Sequence, residues 1–168
     1  MKLVAYFSRA GENYTNQGIV NLKVGNTEVV AQKIHDLTGA DLFRIETVDE
    51  YPNNYDEATA VAQREQRENA RPKLKHYLES VSKYDAIYLG YPNWWGTMPM
   101  AVLTFLESID LTGKVIKPFC THEGSGMGNS EFDLKNEFPT AIIKKGLAIR
   151  GSNVNNADDL IKQWIGED

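Results

Sequence analysis

The chain has 168 residues (18.9 kDa), enough for one domain with a sizeable core, and its 42% hydrophobic and 24% charged residues exclude wholesale disorder. A net charge of −5 and a pI of about 5.3 argue against a nucleic-acid binder, which would carry a basic stripe. No apolar run approaches the roughly 18 residues of a membrane span, and Leu3–Phe7 is too short for a secretory signal and has no small-residue cleavage site after it. The single cysteine, Cys120, allows no internal disulfide, which makes a reducing cytoplasm the simplest compartment.

Taken in chain order, Leu3-Val4-Ala5-Tyr6-Phe7 reads as a buried strand. Val29, Val30, Ile34 and Leu37 share one helical face, which predicts a helix over 27–38 stopped by Gly39. Residues 41–46 alternate, as an edge strand with one wet face would. Ala58, Val61 and Ala62 on a polar background predict a surface helix over 55–70, and one or two helical turns follow over 73–81. His35 and His76 then sit on solvated helix faces, and the charged run Glu65–Arg71 is another. Residues 85–90 form the second strongly apolar strand, and 99–107 a helix with proline near its start. Residues 115–120 form a strand in which Lys117 and Pro118 imply a bulge or an N–H position without a ladder partner. Ser130 and Asp133 read as the cap of a helix over 130–138. Residues 141–149 are the last strand, kinked at Lys144-Lys145-Gly146, and 155–165 the last helix, with Trp164 in its apolar stripe. Five strands alternating with helices imply parallel pairing through right-handed crossovers. The expected fold is an α/β three-layer sandwich, a single domain over 1–168, with strand 2 at an edge.

In such sheets ligands bind beyond the carboxyl ends of the strands, so the loops after strands 1, 3 and 4 carry the functional reading. The first connection runs from residue 8 to 25, or 18 residues, where strand-to-helix loops take about 2–6. It reads as a functional cover ending in Gly25-Asn26-Thr27 at a helix N-terminus, where free N–H groups and the helix dipole suit a phosphate. Ser8, Asn26 and Thr27 add donors; simple capping by Asn26 accounts for the same residues. Arg9 either adds a cationic contact or, the preferred reading, points to solvent. The second loop holds adjacent Trp94 and Trp95, bounded by Pro92, Asn93 and Gly96. A flat aromatic ligand would give one indole a stacking partner; equally, one tryptophan caps the core and the other packs under a neighbouring loop. The third, Thr121, His122, Glu123, Gly124, Ser125 and Gly126, is glycine-rich enough to wrap a ligand, and alone it is simply a flexible loop. It matches neither G-x-G-x-x-G nor G-x-S-x-G. Together the three suit a phosphorylated, flat, aromatic molecule, flavin mononucleotide (FMN).

At Tyr91-Pro92-Asn93-Trp94-Trp95-Gly96, followed by Met98-Pro99, and at Phe119–Gly126, the sequence resembles the flavodoxin-like family over essentially its whole length. The resemblance implies a five-stranded sheet of order 2-1-3-4-5 with FMN at the carboxyl ends of strands 1, 3 and 4. One departure is the phosphate loop. Ser8-Arg9-Ala10-Gly11-Glu12-Asn13 lacks two of the family's hydroxyls, so an insertion is expected to split it between Ser8 and Gly25-Asn26-Thr27.

The preferred activity is an NAD(P)H-linked reductase of quinones or similar small acceptors, an oxidoreductase whose flavin carries the electrons. The alternatives are an electron carrier docking on redox partner proteins and, from another class, a hydrolase using Ser8 or Ser125 with His122. Cys120 reads as a buried hydrophobe and no Cys/His cluster has metal spacing. Tyr51–Tyr55 reads as a plain turn, with an approach to the flavin end from a neighbouring subunit of a homodimer as the alternative.

Overall fold

The computed structural model describes residues 1–167. Its main sheet is parallel throughout, built from β1 (Lys2–Tyr6), β4 (Asp41–Arg44), β5 (Ala86–Pro92), β6 (Val115–His122), β7 (Ile142–Ile143) and β8 (Leu147–Arg150). The spatial order is β4-β1-β5-β6-β7, with β8 also on β6. With β7 and β8 sharing the last position, this is the expected 2-1-3-4-5 arrangement. Alternation along the central strands feeds two cores. Leu3, Ala5, Ile87 and Leu89 face α3 (Met100–Glu107) and α4 (Ser130–Glu137), while Val4, Tyr6, Tyr88 and Phe119 face α1 (Asn26–Thr38) and α5 (Asp158–Ile165). Each fully buried Leu, Ile or Phe contributes about 1.5–3 kcal/mol, so a one-residue slip of β1 would invert both cores.

Four local expectations change. Residues 11–22 are not a loop but an antiparallel hairpin, β2 (Gly11–Thr15) and β3 (Gly18–Leu22), separate from the main sheet. Its strands lack a buried face, so no apolar alternation announced them; Thr15 Oγ1 accepts from Gln17 N and donates to the Gly18 carbonyl to set the turn. Residues 73–81 hold no helix. Val48 N–H donates to the Lys73 carbonyl and Lys75 N–H to that of Glu46, so long-range pairing outcompetes helical turns. Residues 151–156 form a short 3-10 helix before α5. The Ser130–Asp133 cap does not form: Asn129 opens α4, the Ser130 hydroxyl accepts from Tyr91 and donates to the Met127 carbonyl, and Asp133 accepts from Thr97.

β6 runs through Pro118 without a bulge, in register with Leu89. Lys144 N–H donates to the Ile116 carbonyl, so the missing N–H of Pro118, of the same parity, faces the break between β7 and β8. The kink at 144–146 and the proline are one feature. Trp164 is core, as expected, and Cys120 is buried with its thiol pushed up to about 12 by burial. His35 lies on α1 as expected and is half-buried, its Nδ1 2.6 Å from the Ala40 carbonyl, whereas His76 is exposed but outside any helix. Among the described residues no helix is long and apolar enough to cross a membrane, and no group of metal-ligating side chains is found.

Candidate functional site

Gly25, not Asn26, caps α1, and no side chain of its own neighbourhood satisfies the first turn. Ser8 does so from the end of β1, where its hydroxyl accepts from Glu28 N–H at 3.1 Å. The approach is close enough that a Cβ on Gly25 would run into Ser8 Oγ and the Arg9 carbonyl. As the first residues of the helix, Asn26 and Thr27 have amides without intrahelical acceptors. The Thr27 hydroxyl sits 2.7 Å from that of Thr121, a buried bridge from α1 to β6. Donors and a positive dipole end thus meet where three chain segments converge, a suitable seat for an anionic group.

The two tryptophans part company. Trp94 turns inward, edge-on to Phe7 (5.1 Å, 81°) and to Tyr51 (5.0 Å, 80°). Trp95 stays 51% exposed, with its indole N–H donating to the Thr59 carbonyl of α2 (Tyr55–Arg67) at 2.9 Å. Trp95 and Gly96 both have positive φ (55° and 87°), and Trp94 and Thr97 exchange backbone bonds around them, a tight primed turn. Holding tryptophan there costs about 1–2 kcal/mol, and such strain gathers at functional sites.

The third loop is built on His122. Its Nδ1 accepts from Gly124 N–H at 2.8 Å, which leaves the ring proton on Nε2. Burial, then the Arg150 guanidinium, push the imidazole below its ordinary pKa against the pull of Glu123. Gly151 has no side chain, which lets Asn26 and Glu123 lie over it. No Ser–His hydrogen bond exists among the described residues, so the hydrolase arrangement is absent.

These elements enclose one cavity of about 530 Å³. Of the expected residues, Ser8, Arg9, Asn26 and Thr27 line it, as do Pro92 to Trp95 and Thr121 to Ser125. Gly96 and Gly126 do not; they tie the loops together. The Gly96 carbonyl accepts from Asn129 N–H, and Asn93 spans the Gly126 carbonyl (2.8 Å) and Gly96 N–H (3.0 Å). Arg9 does not reach into solvent: its guanidinium donates to the carbonyls of Glu12, Pro52 and Asn53. Tyr51 and Tyr55 reach the site within the same chain, so no neighbouring subunit is needed to bring them. Sequence reasoning missed Asn13 and Tyr14 on the hairpin and Ala58, Thr59 and Ala62 on α2. The length of the first connection was the one available signal for Asn13 and Tyr14.

A family model described as flavodoxin matches residues 1–168. The chain belongs to the flavodoxin family. Among solved structures, the flavodoxin-type chain is similar to a candidate flavoprotein from Bacteroides eggerthii (30% identity, TM-score 0.69, 96% of this chain and 97% of that one). It is similar also to one from Bacteroides uniformis (27%, TM-score 0.75, 99% and 97%). A flavoprotein from Lactobacillus acidophilus in complex with FMN shares the fold at 17% identity (TM-score 0.65, 92% and 96%). None of the curated proteins matches the flavodoxin-type chain.

Proposed function

We propose that this flavodoxin-family protein binds FMN and works in the cytoplasm as an NAD(P)H-linked reductase of small quinone-type acceptors, with residues 1–168 acting as one unit. One observation carries the reading. The open N-terminus of α1, the Trp94–Trp95 turn and the His122–Ser125 loop share a single cavity large enough for a nucleotide-sized ligand. The residues fit the group chemically. Asn26 and Thr27 amides with the Thr27 hydroxyl suit a phosphate dianion, and the indoles suit a flat tricyclic ring.

FMN, when bound, supplies the relay that accepts a hydride and passes on two electrons. The balanced reaction takes hydride from NAD(P)H and one proton from solvent to a quinone, giving NAD(P)⁺ and hydroquinone. The chain's own part is to bind, orient and exclude water. Trp94, fixed by Phe7 and Tyr51, makes one apolar wall, and Trp95, pinned to Thr59, makes another. Neutral His122 offers an Nε2–H donor with Nδ1 already committed to Gly124. Such a donor stabilises negative charge arriving at the ligand edge.

The test is titration of FMN into the apoprotein, followed by quenching of flavin fluorescence, and then NADH and NADPH oxidation by the loaded protein with a quinone present. Saturable quenching and quinone-dependent NAD(P)H loss are expected. Absence of saturation would remove the cofactor reading; binding without NAD(P)H oxidation would leave a carrier serving redox partner proteins.

A further inference from the structure

Only part of the cavity wall comes from loops at the carboxyl end of the sheet. The rest is the β2–β3 hairpin and α2, which are joined by a dense set of bonds. Besides the Arg9 guanidinium on the carbonyls of Glu12, Pro52 and Asn53, Glu12 N–H donates to the Asn53 carbonyl at 3.2 Å, and the Glu12 carboxylate accepts from Tyr55 N–H at 2.9 Å. Gly11, at φ 87°, lies so close to Asn53 that a Cβ would strike its side chain. A two-stranded ribbon on its own is marginal in water, so this clamp sets where the hairpin stands.

What the clamp presents is aromatic. The Tyr14 ring lies 6.3 Å from that of Tyr55 at 37°, yet Tyr14 stays 56% exposed. Both line the cavity, with the small side chains Ala58 and Ala62 leaving room along α2. An exposed Tyr14 ring beside a half-buried Tyr55 at the cavity edge offers a stacking surface. The charges nearby select the partner. The Glu12 carboxylate interacts with the charge of Arg9, and Asp56 and Glu57 open α2 next to Tyr55, so this stretch of rim has no spare positive charge and suits an uncharged partner.

We infer that Tyr14 and Tyr55 form a subsite for an uncharged planar quinone, distinct from the seat of the phosphate. This rests on the reading of the site as that of an FMN-dependent reductase. The quinone lies with its ring against the tyrosine pair, and the two phenol hydroxyls offer donors to its carbonyl oxygens.

The test uses the FMN-loaded protein, oxidised and without reductant, titrated with menadione and followed by protein fluorescence. FMN affinity of the apoprotein is measured in parallel. Tyr14→Ala is expected to weaken menadione binding about fivefold, from loss of one stacked ring, and to raise KM with little change in kcat. Tyr14→Phe keeps the ring and stays within about twofold of the parent. FMN affinity of Tyr14→Ala stays within about twofold as well. Unchanged menadione binding in Tyr14→Ala overturns the subsite, as does a loss of FMN affinity that matches the loss of menadione affinity. A parent protein that fails to bind FMN overturns the functional reading itself, which separates the two failures.

Discussion

The two ends of the sheet are built on different principles. At the amino end the chain closes with ordinary bonds: the terminal ammonium on Asp85, the Tyr84 hydroxyl on Asp41, and Gly39 and Gly113 taking positive φ where a helix stops and a turn begins. At the carboxyl end Trp95, Gly96, Gly124, Gly126 and Gly128 all hold positive φ, and backbone passes so close to backbone that Gly25 and Gly128 have no room for a Cβ. At the carboxyl end Trp95 bears backbone strain beside the cavity, and that is the pattern expected where a ligand supplies the missing contacts.

The contrast can be broken by substitution. Trp94→Ala removes an inward-facing indole from Phe7 and Tyr51 and should cost about 2–3 kcal/mol in urea unfolding while abolishing tight FMN binding. If stability is lost and FMN binding is retained, Trp94 is only core. Gly25→Ala should cost about 1–3 kcal/mol, because the new methyl must displace Ser8 from the Glu28 amide; an undisturbed melting curve would show that the approach is slack. Tyr84→Phe, at the amino end, should cost about 0.5–1.5 kcal/mol through the lost bond to Asp41 and leave FMN affinity unchanged.

Two smaller effects sharpen the comparison. Trp95→Asn puts a residue tolerant of positive φ at the strained position, so stability should stay within about 0.5 kcal/mol while FMN affinity falls about tenfold. A strained site predicts that split; a structural tryptophan predicts the reverse. The least is a pH effect. The folded protein holds His122 below its ordinary pKa of 6.5, so below pH 6.5 the unfolded chain binds more protons than the folded one. The His122 contribution to stability is then complete above pH 6.5 and declines as pH falls through the lowered value, and His122→Gln should flatten that part of the stability–pH curve.

Much of this was open to reading in the chain. Continuous apolar runs at Leu3–Phe7 and Ile87–Leu89 became central strands, and the Lys144–Gly146 kink became the break between β7 and β8. Thirteen of the fifteen residues expected around the ligand line one cavity, since glycines and tryptophans after strands are unusual on local grounds alone. The helix expected at 73–81 failed because Leu74 is buried by a bridge to Thr47 across the sequence.

The sequence by itself determined the strands of the main sheet, most of the helices and the three converging loops, but not the β2–β3 hairpin, because periodicity and backbone permissiveness are properties of neighbouring residues. Only the tertiary structure decided that Ser8 would cap a helix 20 residues away, that Arg9 would spend its donors on three carbonyls, that Trp94 would turn in and Trp95 out, and that the hairpin would bring Tyr14 to Tyr55. Each of those outcomes is a contact between segments distant in the chain, settled by polar groups that needed partners at Ser8 and Arg9 and by aromatic packing at Trp94 and Tyr14, and no local pattern records it.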